Sequence, residues 1–472
     1  MTGPPARFGP GPVVVRGLNW LGDAVMSLPA LAAVLAARPP GGVVVVARAG
    51  PADLYRLAAG EKNVIVEGRG LSGRLAAAGA VRELRPSAYL VLPNSFSAAA
   101  CAFLSRAPLR LGSARNLRSP LLTRPVEFSP EELAAHESFR FLRLAEELGV
   151  EARFSRPALT PPGPPPELPL PAGPRLAVAP GAAFGGAKRW PAAGFARAAA
   201  LVAQDRGGGV VILGGPSETE AAGEVERLLP AGVPVVNLAG RTSLTEAVSV
   251  LAGCHLTLAN DSGLMHLSAA LDVPVVAVFG PTNPVRTSPL AGRLAVLRRS
   301  CGCSPCRHRE CPKKDRVCFD GLTPELVGMA AAKLLAPARR APKTVFWSPA
   351  PGEVFPEAGP TTAVCRVLAS DLEAAGLDPG ALPPWVGLLG DRADDRRSWT
   401  LLLRRLDVSP AGAYWLGHDK EVVGRARALG GRSLLVTGPR ARSELPRMLA
   451  AGSLPFMAVP DARRGLELVD SM

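Results

Sequence analysis

Three short segments of this sequence place charged side chains next to apolar runs, where enzymes commonly bind and convert their ligands. Asp23 stands alone in RGLNWLGDAVMSLPAL, just after a valine-rich run. Lys188 follows a glycine-rich turn in APGAAFGGAKRWP, and Asp261 lies in LANDSGLMH. A carboxylate can act as a general base, whereas a lysine beside a helix N-terminus can neutralise phosphate. Together these residues predict chemistry on a phosphorylated substrate.

The turn NDSG (260–263) carries most of this information. Its small and polar residues are typical of a helix cap, and a helix is predicted to begin near Leu264. The free N–H groups of that helix would bind an anion, and Gly263 would let a diphosphate approach the backbone closely. The alternative is an ordinary cap with His266 facing the core. Two roles are likewise open for Asp23, that of a turn residue and that of a general base.

A third turn, LGGPSETE (213–220), adds acids that suit sugar or ribose hydroxyls. Each of the three turns follows a run predicted to be a buried parallel strand. In open α/β sheets, ligands bind at the carboxyl ends of the strands. The three turns are therefore expected to share one rim.

The elements that must hold these residues form two βα series. VVVRG, GVVVVARAG, NVIVEG and AYLVLPNS are the expected strands of the first, with helices such as 27–37 and 71–83 between them. RLAVAPG, GVVILGG, VPVVNLAG, LTLANDSG and VPVVAVFGPT are those of the second. A proline-dense linker, 156–174, separates them. The fold class is α/β, with Rossmann-like domains at 1–160 and 161–340 and a third α/β unit at 341–472.

Composition limits the function further. With 472 residues, 47% apolar and 20% charged, the chain suits a globular protein of two or three domains. The formal net charge of +14 favours anionic partners, unless arginine merely reflects coding bias. Aromatic residues make up 5% and do not alternate with basic ones, so we expect no nucleic-acid partner. We found no signal peptide or membrane-spanning run and expect a cytoplasmic protein.

Taken together, the motifs resemble one known family. RGLNWLGDAVMSLPAL, PGAAFGGAKRWP, LGGPSE, NLAGRTSLTEAVSVLAGC and NDSGLMHLSAALDVPVVAVFGPTNP, followed by CSPCRHREC, resemble the ADP-heptose:lipopolysaccharide heptosyltransferases of glycosyltransferase family 9, nearest the heptosyltransferase II branch. The likeness covers about 13–335, with the motifs in the family's order. It implies a GT-B architecture in which the first domain binds the acceptor and the second binds ADP-heptose.

The resemblance also implies roles for individual residues. Asp23 would be the general base of an inverting, metal-independent transfer that needs no cofactor. Lys188 would contact the donor phosphates, and Glu218 would hold the adenosine ribose. The residues expected to surround the donor are Asp261, Ser262, Gly263 and His266. The implied partners are ADP-heptose and a lipid A–Kdo–heptose acceptor, reached at the cytoplasmic face of the inner membrane by peripheral contact.

A cysteine cluster lies near the end of the likeness. Cys301, Cys303, Cys306 and Cys311 are followed by Cys318, with basic residues at 307, 309, 313 and 314. Three interpretations stay open: a structural metal site, reduced loop cysteines or a disulfide. The basic residues would face a phosphorylated acceptor or simply solvent.

The third unit resembles, more weakly, the haloacid-dehalogenase phosphatases, in particular heptose bisphosphate phosphatase. Ser348 and Ala350 stand where the family has nucleophile-loop aspartates, and His418 and Val422 stand where it has acids that hold Mg²⁺. Asp419 is adjacent, and the acids of GDRADDRR (390–397) suit a solvated turn. We therefore predict a degenerate domain without phosphatase activity. An unrelated α/β appendage is the alternative.

Two other functions compete with inner-core heptosyl transfer. One is a transferase of the same family with another acceptor or sugar nucleotide. The other is a non-catalytic scaffold that binds sugar nucleotides, which the retained Asp23 and Lys188 disfavour. A Rossmann dehydrogenase is disfavoured because no G-x-G-x-x-G follows the first strand.

Overall fold

The first domain is a six-stranded parallel sheet covered by helices on both faces. A computed structural model describes residues 8–335 except 38, 153, 165, 166, 300 and 314, and beyond 335 it describes only the strands of a third sheet. The strands of the first sheet lie in the order β3-β2-β1-β4-β5-β6. The elements are β1 (Val13–Arg16), α1 (Leu21–Met26), α2 (Leu28–Ala36), β2 (Val43–Arg48), α3 (Ala49–Ala59), β3 (Val64–Glu67), α4 (Gly70–Glu83), β4 (Ala88–Val91), α5 (Phe96–Leu104), β5 (Leu109–Ser113), β6 (Arg124–Val126), α6 (Pro130–Ala134) and α7 (Glu137–Glu147).

The two faces of this sheet bury different helices. Val13 and Val15 of β1 face α1, α2, α3 and α7, whereas Val14 faces α4 and α5. Alternate residues of one strand thus enter two cores, and this explains the uninterrupted valine run. The arrangement leaves the carboxyl ends of β1, β3, β4 and β5 at one edge, followed by α1, α4, α5 and the 114–118 loop.

The second domain repeats this topology. Its sheet has the order β12-β11-β10-β7-β8-β9, again parallel. Its core packs Trp190 and Phe195 against the strands, with their rings edge to face. The elements are β7 (Arg175–Ala179), α8 (Ala192–Arg206), β8 (Gly209–Ile212), α9 (Thr219–Leu228), β9 (Val235–Asn237), α10 (Leu244–Ala252), β10 (Leu256–Asn260), α11 (Gly263–Ala270), β11 (Val275–Phe279), α12 (Pro284–Thr287), β12 (Leu294–Arg298) and α13 (Pro324–Leu335).

The connection between the domains is held in place. The Leu159 N–H donates to the carbonyl of Ala270 (2.9 Å), and Arg156 pairs with Asp272 at 3.0 Å. Leu168 and Leu170 pack against a hydrophobic cluster that continues from the first sheet into the second domain. The proline-dense linker is therefore anchored to the second domain near its start and packs on this shared cluster further along.

Beyond residue 335 the chain forms a third six-stranded parallel sheet with the order β15-β14-β13-β16-β17-β18. Its strands are β13 (Lys343–Trp347), β14 (Ala363–Leu368), β15 (Val386–Leu389), β16 (Ala413–Gly417), β17 (Arg432–Val436) and β18 (Met457–Val459). The positions that carried the phosphatase comparison, 348, 350, 418, 419, 422 and 390–397, lie outside the described residues. The prediction of an α/β unit fits this sheet, while its relation to a phosphatase stays a prediction.

The structure confirms every strand expected from an apolar run and corrects several details. Strands β5, β6 and β12 were not predicted. The expected helix at 27–37 begins instead at Leu28, and a separate six-residue helix, α1, precedes it. Strand β10 extends to Asn260, and α11 begins at Gly263. Among the described residues, no helix combines the length and apolar character needed to cross a bilayer.

Candidate active site

A cavity of about 790 Å³ lies between the carboxyl edges of the first two sheets. Residues from both domains line it, so the site needs the two domains together. The sequence-predicted residues on its wall are Asp23, Lys188, Glu218, Asp261, Ser262, Gly263 and His266. All seven residues proposed as catalytic or substrate-binding therefore meet in one place.

Asp23 reaches the cavity from the first turn of α1. Burial raises the pKa of its carboxyl group from its ordinary value to about 6. Lys188 across the cavity opposes this increase in pKa, and the negative charge of Asp261 reinforces it. A carboxyl with this pKa is a stronger base than an exposed one and is still mostly ionised at neutral pH. Its position therefore fits proton abstraction.

Lys188 and Asp261 form a short ion pair on the opposite wall. The Lys188 Nζ donates to Asp261 Oδ2 at 2.6 Å, and both side chains are largely buried. The Thr282 hydroxyl donates to the same oxygen at 2.6 Å. Lys188 also lies 4.9 Å from the centre of the Phe184 ring. Asp261 thus holds the ammonium group in place beside the cavity.

Asn260 holds the turn that carries Lys188. Its side-chain Nδ2 donates to the Pro180 carbonyl at 2.7 Å, and its Oδ1 accepts the Trp190 N–H at 3.0 Å. Asn260 is fully buried. One amide side chain therefore joins both ends of the 180–190 segment to the end of β10.

The N-terminus of α11 departs from the expected cap. Ser262 occupies the N-cap position, but its side chain makes no capping hydrogen bond, and its buried Oγ has no hydrogen-bond partner among the described residues. The turn therefore occupies the cap position expected from its residue types, but the Ser262 side chain does not cap the helix and its hydroxyl stays available at the cavity. A Cβ on Gly263 would lie 2.8 Å from Leu21 Cβ, so this glycine permits close contact with α1.

His266 sits where α11 meets the first domain. It is 4% exposed, and a Cβ built on Gly22 would lie 2.8 Å from its Cδ2. Burial lowers the pKa of the imidazole to about 4, so the ring is neutral at physiological pH. His266 is both a packed interface residue and a cavity wall, which combines the two alternatives left open by the sequence.

Glu218 lines the cavity from the turn that follows β8. Its Oε2 accepts the Gly215 N–H at 2.8 Å, and the carboxyl packs against Gly181. A Cβ on Gly181 would come within 2.3 Å of that carboxyl. The small residues of both turns thus allow this side chain to reach the cavity.

A charged cluster that was not predicted from the sequence joins the two domains. Glu137 of α7 forms ion pairs with Arg140 and with Arg286 of the second domain. Burial lowers the pKa of Arg140 to about 10. Glu137 and Arg286 line the cavity, and the charge of Arg140 acts on Asp23. Glu137 and Arg140 are neighbours on α7, but Arg286 lies 149 residues from Glu137, so no local motif signals that the cluster joins the two domains.

In its described part, the cysteine loop brings two of its sulfurs close together but forms no larger group of thiols. Cys301 and Cys303 have sulfurs 3.7 Å apart, and the cysteines described in residues 8–335 are all free thiols. Within the described residues, no three His, Cys, Asp or Glu side chains are grouped as metal ligands. The predicted candidates Cys301, Cys303, Cys306 and Cys311 are thus not brought together as a ligand set.

The backbone of this loop instead contacts the Lys188 turn. The Arg309 carbonyl accepts the Ala187 N–H, and Glu310 Oε1 accepts the Gly186 N–H, each at 2.9 Å. A Cβ on Gly185 would lie 2.3 Å from the Arg309 carbonyl oxygen. The glycine pair therefore permits the loop to pack directly on the turn. The loop also contributes Arg307 to the cavity wall.

The two Rossmann-like domains face a cleft, with a carboxylate on one side and a cation and a helix N-terminus on the other. This arrangement is that of a transferase of the GT-B-like type. Comparison with known proteins identifies the family. Residues 76–316 match the model of glycosyltransferase family 9 (heptosyltransferase). The chain belongs to this family and is a glycosyltransferase.

Individual relatives agree with that assignment. The chain is 31% identical to lipopolysaccharide heptosyltransferase 2 of Escherichia coli over 341 residues, which cover 67% of this chain and 96% of that protein. It is 39% identical to lipooligosaccharide heptosyltransferase 2 of Campylobacter jejuni over 163 residues, 34% of this chain and 50% of that one. The solved structure of E. coli ADP-heptose LPS heptosyltransferase II has a TM-score of 0.59 at 27% identity and covers 69% of this chain and 98% of its own.

Proposed function

We propose that this enzyme transfers a heptose from ADP-L-glycero-D-manno-heptose to the inner core of lipopolysaccharide, with inversion and without a metal ion. The observation that carries the proposal is the pair of opposed walls. Asp23 lies on one side of a single cavity, and Lys188 with the α11 N-terminus lies on the other. The names of the relatives support heptose as the sugar.

The second domain supplies the donor site in this proposal. Lys188 and the free N–H groups at the start of α11 would bind the diphosphate, since both favour negative charge. The unpartnered Ser262 hydroxyl would donate a hydrogen bond to a phosphate oxygen. Glu218 would accept hydrogen bonds from the ribose hydroxyls. Arg307 adds a further positive charge on the same wall.

The first domain supplies the base. The Asp23 carboxylate would take the proton of the acceptor hydroxyl as its oxygen attacks the anomeric carbon. A new O–C bond forms, the bond between that carbon and the diphosphate oxygen breaks, and ADP leaves with the bonding electrons. Attack from the face opposite ADP inverts the anomeric centre. The charge that grows on ADP is stabilised by Lys188 and α11, which stay in position throughout.

The same wall supports the proposal of a metal-independent transfer. The leaving diphosphate meets a fixed ammonium group, a helix N-terminus and the guanidinium of Arg307, which together would offset its charge. The neutral His266 would pack against the donor without adding charge. With these groups in place, the proposed step needs no divalent ion to stabilise the leaving diphosphate.

The acceptor side is electrostatically suited to an anionic substrate. Arg286 lines the cavity, and the charge of Arg140 acts on Asp23. Within the described part of the chain, Glu137 is the acid that pairs with both arginines. Phosphate and carboxylate groups of an inner-core acceptor would bind arginine in bidentate fashion.

We further propose peripheral membrane contact at the cytoplasmic face, because such an acceptor is anchored by lipid. For 341–472 we retain the proposal of a phosphatase-like domain without phosphatase activity.

The direct test is a transfer assay with the full-length chain. Purified enzyme is mixed with ADP-heptose and a set of truncated core acceptors, and the products are analysed by mass spectrometry. We expect one acceptor to gain a single heptose as ADP is released. Release of free heptose without a glycosylated product, or transfer only from another sugar nucleotide, would contradict the proposal.

A further inference from the structure

One long segment of the first domain has an extreme charge imbalance. Between residues 68 and 126 the sequence contains a single acidic residue, Glu83, whereas nine arginines stand at 69, 74, 82, 85, 106, 110, 115, 118 and 124. Besides strands β4, β5 and β6, this segment forms α4, α5 and the adjoining loops, and the two helices cover one face of the first sheet. Arg118 is buried and Arg124 pairs with Glu147 at 3.1 Å, and the remaining arginines give this surface a positive charge that attracts a polyanionic partner.

The same segment exposes large apolar side chains. Leu71 and Leu75 of α4 are 70% and 49% exposed, and Phe96 at the start of α5 is 55% exposed. Leu117, in the loop after β5, is 93% exposed. Each of these residues follows a strand of the first sheet at its carboxyl edge, the edge that also presents Asp23. We call Leu71, Leu75, Phe96, Leu117 and the neighbouring Arg69 and Arg115 the apolar-basic rim.

The exposure of Leu117 is imposed by its loop. Asn116 and Leu117 both have left-handed backbone, with φ of 58° and 55°, a conformation unfavourable for residues with a Cβ. Beneath them Arg118 is fully buried and donates to the carbonyls of Ser113 (2.7 Å) and Pro93. The Asn116 side chain donates to the Asn94 carbonyl at 2.6 Å. The loop is thus held so that a leucine points outward, which costs stability and calls for a role elsewhere.

We infer that the apolar-basic rim docks the enzyme on an anionic lipid bilayer and thereby aligns the cleft with acceptors embedded in it. Membrane binding by a peripheral surface requires two signals, inserted apolar groups and cationic charge. The rim offers both within one segment, whereas an ordinary solvated surface would mix acids with its arginines. This inference rests on the proposed function, since a lipid-anchored acceptor is what makes docking useful.

The position of the rim agrees with this role. The strand order β3-β2-β1-β4-β5 places the leucines after β3 and the loop after β5 on either side of β1, which leads to Asp23. If the rim contacts the bilayer on both sides of β1, Asp23 would lie close to the membrane surface. The donor wall, on the second domain, would stay open to the soluble donor.

The test uses the full-length chain and vesicles of phosphatidylethanolamine with phosphatidylglycerol, compared with phosphatidylcholine alone. We expect sedimentation with the anionic vesicles. Leu71→Ser combined with Leu117→Ser should weaken partitioning about tenfold or more. Arg69→Gln should weaken it about fivefold on anionic vesicles and leave phosphatidylcholine unaffected.

Matched controls lie on the second domain. Leu326→Ser with Met329→Ser removes exposed apolar groups from α13, and Arg227→Gln removes an exposed arginine from α9. These variants should bind vesicles as the wild type does. Equal loss from the control pair and from the rim pair would overturn the inference, as would failure of the wild-type chain to bind anionic vesicles.

A second readout separates this inference from the proposed function. Rim variants should keep transfer to a water-soluble, delipidated core acceptor and lose transfer to the same core in vesicles. If the wild type binds vesicles through the rim but glycosylates neither acceptor, the docking surface stands and the proposed function fails. If both acceptors are glycosylated equally by the rim pair, the docking surface is wrong.

Discussion

Gly22 gives a direct test of whether the two domains react in the arrangement described. A Cβ at this position would lie 2.8 Å from His266 Cδ2 and 3.3 Å from Nε2, whereas ordinary contact begins at 3.4 Å. Gly22→Ala must therefore move α1 from α11 by about 0.6 Å, the difference between 3.4 and 2.8 Å. His266 is 4% exposed and has little room to move, so the helices themselves must separate.

The expected result is a loss of turnover without a loss of folding. Misplacing reacting groups by about 1 Å can cost about 100-fold in rate, so a shift of this size should reduce kcat about 10- to 100-fold. Alanine favours a helix by up to about 1 kcal/mol over glycine, so α1 itself should not be destabilised. Affinity for ADP should stay unchanged, because the donor residues belong to the second domain.

The assay measures kcat at saturating donor and acceptor, the Kd for ADP by calorimetry, and the Tm. Gly223→Ala is the matched control, since a Cβ there meets nothing within 4 Å. Replacing His266 by alanine should make Gly22→Ala much less costly, because the clash is removed. Wild-type kcat in Gly22→Ala, or an equal loss in the His266→Ala background, would refute the steric argument.

The remaining predictions address the chemistry. Lys188→Met should raise the Kd for ADP about 10- to 100-fold, as expected for loss of a charge-assisted phosphate contact. Lys333→Met is the exposed control, and equal ADP affinities in the two variants would contradict the prediction. The rate kcat/KM should rise with pH through about 6, because the base must be ionised and burial raises the pKa of Asp23 to that value. Asp261→Asn should shift this limb to lower pH, since the charge of Asp261 raises the pKa of Asp23, and a shift to higher pH would refute the coupling. Transfer should survive EDTA, and a loss restored by Mg²⁺ alone would overturn metal independence.

The central strands of the fold could be predicted because they are buried on both faces. Val13, Val14 and Val15 face cores on alternate sides, so their run is uninterrupted and easily recognised. The missed strands lack this signature. Strand β5 contains Arg110, β6 contains Pro125, and β12 is only partly buried along its length. Edge and near-edge strands of this kind have no single hydrophobic pattern.

The site was predictable where local sequence determines position and unpredictable where distant segments meet. Asp23, Lys188 and Asp261 follow strands at a carboxyl edge, which the βα pattern reveals. The helix that carries Asp23 was missed, because Gly22 and Asp23 are poor helix formers and Pro29 starts the next helix. The pairing of Glu137 with Arg286 depends on the approach of two domains, and no local pattern encodes it.

The most direct test of the central claim is the transfer rate of Asp23→Asn measured beside its affinity for ADP. Asparagine has almost the same shape but cannot accept the proton of the acceptor hydroxyl. We predict that kcat falls about 10²- to 10⁴-fold, the range for loss of a general base, while the Kd for ADP stays within about twofold of the wild type. Turnover within a few fold of the wild type would show that Asp23 is not the base that faces the donor across this cleft.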